Sequence, residues 1–229
     1  VHEPGITHEI FIWLAIFTML FGVIGALSTH NVKLIVTYNI IPAIGFILMG
    51  IGLFSTTGIE GSVYYLIHDM IIKAALFFLV GALVVAAGTS DLRKMGGLIK
   101  QYPVLGWLFF IGSLVLAGVP PFSGFIGKLL LLQGSLSQEE WILTIAALVT
   151  SLLILYSMIR IFVRGFWGED PGELPKQKKK VHRLTIPAAV LLVINIFLGV
   201  GAELVYPHTA TTATLPIDRT EYINAVLGE

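Results

Sequence analysis

Two lysines, Lys73 and Lys128, stand inside long apolar runs that hold almost no other charge. An ammonium in the middle of hydrocarbon costs about 2.5–3.5 kcal/mol by insertion scales, so such residues usually face a bundle interior and mark ion or proton paths. Asp69 precedes Lys73 by four residues, which puts carboxylate and amine on one helix face. His68 is its neighbour, and an imidazole gains and loses a proton near neutrality. The three together can relay a proton; equally, Asp69 can neutralise Lys73 so that the helix inserts and no proton ever moves. Lys128 lies four residues beyond Gly118-Val119-Pro120-Pro121-Phe122-Ser123-Gly124, where adjacent prolines remove amide donors and clash with preceding carbonyls. Pro120, Pro121 and Gly124 therefore mark a helix break, and unwound backbone inside a membrane lets water and ions reach carbonyl and amide groups.

His30 and Lys33 are further candidates, placed at the aqueous edge of a span where a lysine snorkels at little cost. They read either as an interfacial anchor or as the point of proton uptake. Pro42, with Asn39 three residues before it, implies a kink and a freed carbonyl, serving either helix packing or a hydrated path. Arg160 and Arg164 fall in the last turn of a span, where cations suit a helix C-terminus.

Only membrane-crossing helices can hold these side chains at depth. The 229 residues are 56% hydrophobic and 12% charged, with a mean hydropathy of +0.89, against about 25% charged in a soluble domain. Fourteen Lys and Arg balance fourteen Asp and Glu, so net charge says nothing about partners and the placement of the charges, almost all between apolar runs, is the informative quantity; no nucleic-acid partner is expected. There is no Cys, which excludes disulfides, iron–sulfur clusters and thiolate metal sites; no haem-attachment or flavin-binding motif appears, and neither metal nor cofactor is expected.

A span takes about 20 apolar residues. Runs of that kind extend from Glu9 to Ser28, Leu34 to Phe54, Val63 to Gly88, Val104 to Ser135, Trp141 to Phe166 and Leu184 to Tyr206. The fourth is too long for one straight span and contains the prolines. The predicted fold is an all-α polytopic membrane bundle of about six transmembrane segments, the fourth broken near Pro120, forming a single membrane domain over residues 1–229. Residues 167–183 are expected to be a Lys-rich cytoplasmic loop, because Lys and Arg collect there and in the first and third connections, while the second and fourth hold only Glu60, Glu139 and Glu140. Both chain ends then face outward. Residues 207–229 form an extramembrane tail in which Ile217, Ile223, Val226 and Leu227 make a weak apolar stripe. The opening Val-His-Glu-Pro-Gly carries neither an initiator Met nor a signal peptide, so the sequence reads as the C-terminal part of a larger subunit.

Three segments carry a resemblance: Tyr38 to Phe46, His68 to Phe78, and Gly118 to Lys128. Together they resemble the antiporter-like proton-pumping subunits shared by respiratory complex I and the multisubunit Mrp cation/proton antiporters. Asp91 to Leu98, Phe166 to Glu169 and Tyr222 to Leu227 bring the likeness nearest to the D subunits of Mrp. The resemblance implies a subunit of fourteen helices with two inverted five-helix repeats, of which this chain supplies the second repeat and the final helix. It implies that Lys128 takes the place of the Lys or Glu in the second broken helix, and Lys73 that of the lysine in the preceding span. His68 falls where related subunits often carry histidine. The implied function is proton translocation in a Na+ or K+/proton antiporter of the plasma membrane, with the other subunits, the missing N-terminal half and the lipid bilayer as partners. The alternative is a proton-pumping subunit of an NADH-quinone oxidoreductase or membrane hydrogenase. Asn39 and Pro42 depart from the Ser and Gln often found in complex I relatives.

Overall fold

A computed structural model describes residues 4–169 and 178–203. The first helix, α1 (Pro4–Ser28), is followed by α2 (Val32–Tyr38) and α3 (Ile40–Leu53), two parts of one interrupted span. Pro42 cannot donate to the carbonyl four residues back and its ring crowds that carbonyl, so the helix is interrupted at Asn39, upstream of the proline itself. The long central helix α4 (Thr56–Ala87) starts where the Ser55 side chain accepts from Gly58 N and ends at Gly88. A short 3-10 turn at Leu92–Lys94 and α5 (Leu98–Gln101) lead into α6 (Pro103–Ala117) and α7 (Ser123–Ser137). The last two helices among the described residues are α8 (Trp141–Trp167) and α9 (Lys178–Val200).

Among the described residues five spans are long and apolar enough to cross a membrane, the interrupted α2–α3 counted as one. The sixth segment is the broken one. α6 and α7 have 15 residues each, about 22 Å of helix, too short alone for about 30 Å of hydrocarbon. The protein is thus an all-α polytopic membrane bundle. α4 packs against α3, α6, α7 and α9, whereas α1 lies against α3 and α8. The outside is as apolar as the inside: Trp13, Phe17 and Phe21 on α1 and Ile142, Ile145 and Leu152 on α8 are exposed. A bundle in water does not present such faces; one in lipid does.

Three expectations need correcting. Glu60 is not in a loop but within α4 and buried, because the Ser55 cap starts that helix two turns earlier than its apolar run. The segment 167–183 is not loop throughout: Trp167 ends α8, and Lys178–Arg183 open α9, since Lys and Arg are good helix formers and carry a helix past its apolar stretch. Gly124 lies inside the first turn of α7 and not in the unwound stretch, which runs from Gly118 to Phe122. The expected tail 207–229, the apolar stripe within it and residues 170–177 lie outside the described residues.

Candidate functional site

The central helix supplies His68, Asp69 and Lys73, all buried, near the middle of its length. Four-residue spacing does what it predicts: Lys73 Nζ lies 3.0 Å from Asp69 Oδ1. The same ammonium donates to the main-chain carbonyl of Asn39 at 2.7 Å, which lies at the interruption between α2 and α3. The Asn39 side chain fastens that interruption to the bundle, its amide donating to Ile35 O at 2.9 Å and to Ser157 Oγ of α8 at 3.0 Å.

The second lysine meets the second break. α6 ends at Gly118, whose φ of 81° is left-handed and suits a residue without a Cβ. Its N–H bonds Leu114 O and Val115 O, and Val119 N bonds Leu114 O, so Leu116 and Ala117 retain carbonyls facing inward. Lys128, one turn into α7, reaches back and donates to Ala117 O at 2.7 Å, with Leu116 O at 3.4 Å. A cation at the negative end of a helix dipole is well placed. The rings of Phe46 and Tyr65 lie 5.0 and 6.0 Å from Lys128 Nζ. Among the described residues the ion pairs are Lys73–Asp69 and Arg93–Asp91, so Lys128 has no carboxylate in direct contact.

His68 ties the two lysines' neighbourhoods together. Its Nδ1 is 2.8 Å from Ser123 Oγ, at the start of α7, and 3.1 Å from Asn195 Oδ1 of α9. Ser123 Oγ donates to Asn195 Oδ1 at 3.0 Å. The other ring nitrogen, Nε2, is buried and has no hydrogen-bond partner. It faces the backbone of Gly124, where a Cβ would stand 2.7 Å from it and 2.6 Å from Val115 O. α9 is pressed onto the break by Gly199, one turn after Asn195, whose Cβ would stand 2.5 Å from both Pro121 O and Ser123 N. Gly124 and Gly199 thus let three helices close around one imidazole.

His68, Asp69, Lys73 and Lys128 are all buried, with the Tyr65 ring between His68 and Lys128, its centroid 5.7 Å from the imidazole and 6.0 Å from the ammonium. His30 and Lys33 lie elsewhere: Lys33 is exposed in the first turn of α2, and His30, on the connection after α1, lines a surface hollow with Asn31, Ser90, Asp91 and Arg93. There Asn31 and Asp91 form matching turns, each accepting from the N–H two residues on, and Val32 N bonds Ser90 O while Leu92 N bonds His30 O. Sequence reasoning passed over Ser123 and Asn195. Asn195 had a signal: it is the lone amide in an otherwise apolar stretch of its span, and a polar side chain at that depth needs a reason.

Residues 2–154 match the family described as NADH:quinone oxidoreductase/Mrp antiporter, TM. Over 230 residues the chain is 47% identical to the D-type subunit of a Na(+)/H(+) antiporter of Bacillus subtilis, covering 100% of this chain and 46% of that relative. Among solved structures it is similar to a chain of the Mrp complex from Dietzia sp., with 31% identity, a TM-score of 0.87 and coverage of 98% of this chain and 50% of that one. A chain of respiratory complex I from Thermus thermophilus shares the fold, with a TM-score of 0.76, 24% identity and coverage of 91% and 44%. The chain spans about half the length of the curated relatives it matches. It belongs to the membrane-subunit family that NADH:quinone oxidoreductases share with Mrp antiporters.

Proposed function

We propose that this chain is the proton-conducting second half of a subunit in a multisubunit Na+ or K+/proton antiporter of the plasma membrane. One observation carries the reading: two ammonium groups, a carboxylate and an imidazole are buried together between two helix breaks, each break presenting a carbonyl to one lysine. Structural glue alone would be served by apolar packing at less cost. Ionisable groups held in line at mid-membrane support stepwise proton passage, with the charge on each lysine biasing the next. The antiporter name of the Bacillus subtilis relative and the likeness to the Mrp complex favour the antiporter over other uses of the fold. The partners are the N-terminal half of the same subunit and the other subunits of the complex. The basic stretch 176–183, which runs into the start of α9, is assigned to the cytoplasm by its charge.

The test is sodium- or potassium-induced collapse of a pH gradient in everted vesicles carrying the full-length subunit and its partners. Wild type collapses the gradient, and Lys128→Ala at equal expression does so at least tenfold more slowly. Wild-type vesicles that ignore both cations while NADH still builds a gradient would replace the antiporter with a redox-driven pump, the reading that the complex I fold supports.

A further inference from the structure

The environment of His68 dictates which of its nitrogens carries the proton. Asn195 Nδ2 donates to Leu191 O of its own helix at 3.3 Å, which turns Oδ1, an acceptor only, toward the imidazole. Two donors are available to that oxygen: the Ser123 hydroxyl at 3.0 Å and His68 Nδ1 at 3.1 Å. If Nδ1 were bare, the one Ser123 proton would have to satisfy either Nδ1 or Oδ1, leaving two lone pairs face to face in a buried site. If Nδ1 carries the proton, it donates to Ser123 Oγ at 2.8 Å and Ser123 donates onward to Oδ1, so every partner is satisfied. Nε2 is then a bare lone pair, buried, without a partner, and directed at the Gly124 backbone beside the break that Lys128 caps.

We infer that Asn195, through Ser123, is a positioning residue that locks neutral His68 as the Nδ1–H tautomer and so makes it a one-sided proton station. A proton arriving at Nε2 forms a new N–H bond and leaves its donor with a lone pair. The resulting imidazolium keeps its Nδ1–H on the Ser123–Asn195 pair and releases the proton again from Nε2. Passage through the ring toward α9 is closed because Nδ1 is already committed. Among the described residues the charged and titratable groups around the ring are Tyr64, Tyr65, Asp69 and Lys73 on α4 and Lys128 on α7, the Tyr64 hydroxyl being committed to Leu198 O of α9; α6 contains none, and the basic residues of α9 are confined to Lys178–Arg183, more than three turns from Asn195. This inference rests on the proton-path reading for its role, though the tautomer is a property of the fold alone.

The tautomer is read by nitrogen NMR on the full-length subunit with its partners in lipid, labelled with 15N-histidine, at a pH near 8 where a free imidazole is neutral. Subtracting the spectrum of His68→Gln identifies the resonance. Wild type is expected to show protonated Nδ1 and bare Nε2. Asn195→Leu is expected to populate the other tautomer and slow gradient collapse about tenfold, whereas Asn195→Asp, which keeps an acceptor oxygen, retains the wild-type tautomer. A wild-type signal with Nε2 protonated overturns the inference even if no variant assembles, as does Asn195→Leu with unchanged spectrum and rate. If the tautomer is as stated but neither cation moves protons in wild type, the antiporter reading falls and the tautomer assignment stands.

Discussion

The two helix breaks are solved alike and charged differently. At each, an interrupted helix leaves a carbonyl inside the bundle, and a lysine from another helix donates to it at 2.7 Å: Lys73 to Asn39 O, Lys128 to Ala117 O. Yet Lys73 carries its own carboxylate one turn away, while Lys128 is met by the faces of Phe46 and Tyr65. The first arrangement pairs an ammonium with a carboxylate of its own helix. The second is an ammonium held by main-chain carbonyls and aromatic rings, with no carboxylate in direct contact. On the proposed proton path, this division makes Lys73–Asp69 the pair that sets the field and Lys128 the group that exchanges.

The largest effect expected from breaking this division is on stability. Removing one member of a buried ion pair strands the other, at about 3–5 kcal/mol. Asp69→Leu should therefore lower the thermal unfolding midpoint of the detergent-solubilised complex sharply, while Asp69→Leu with Lys73→Met restores most of it. The double-variant cycle measures the pairing directly. A double variant no more stable than the single one would mean that Asn39 O, not Asp69, is the partner that keeps Lys73 in place.

Lys128 should behave in the opposite way. Lys128→Met removes a hydrogen bond to Ala117 O but also removes a buried ammonium with no carboxylate in direct contact, so the net loss of stability should be about 1 kcal/mol or less. Transport, by contrast, is lost. A stability loss as large as that of Asp69→Leu would mark Lys128 as a structural cap and return the exchanging role to Lys73.

That asymmetry was only half legible in the sequence. The i, i+4 spacing of Asp69 and Lys73 fixes their pairing because a helix brings such positions together whatever surrounds it. The adjacent prolines fix the second break for the same local reason. The acceptors are another matter: Asn39 O is 34 residues from Lys73, and Asn195 lies 127 from His68. The second of these contacts depends on close approaches at Gly124 and Gly199, and a glycine in an apolar run does not announce which helix will press against it. Nor did apolarity locate helix starts, since Ser55 extends α4 outward to include Glu60 and the lysines of 178–180 prolong α9.

The smallest effect concerns the other ion pair. Arg93 grips Asp91 bidentately, Nε to Oδ1 at 3.1 Å and Nη2 to Oδ2 at 2.9 Å, on an exposed turn. The Arg93 side-chain hydrogen bond, aided by its backbone N–H, holds the Asp91 carboxyl at about 2, below the ordinary carboxylate value. A depressed folded pKa gives stability that is present above the ordinary value and is lost as pH falls through it toward about 2. The pair is in water, where salt screens it and side-chain entropy opposes it. Asn31 occupies the matching place in the facing turn and accepts from Lys33 N with an uncharged amide. Asp91→Asn should therefore keep the turn, leave transport and neutral-pH stability unchanged in physiological salt, and flatten only the pH dependence between about 4 and about 2. Followed by thermal unfolding across that range, a substantial loss at neutral pH would show that charge is shared between the loops and would weaken the contrast between a buried pair that matters and an exposed one that does not.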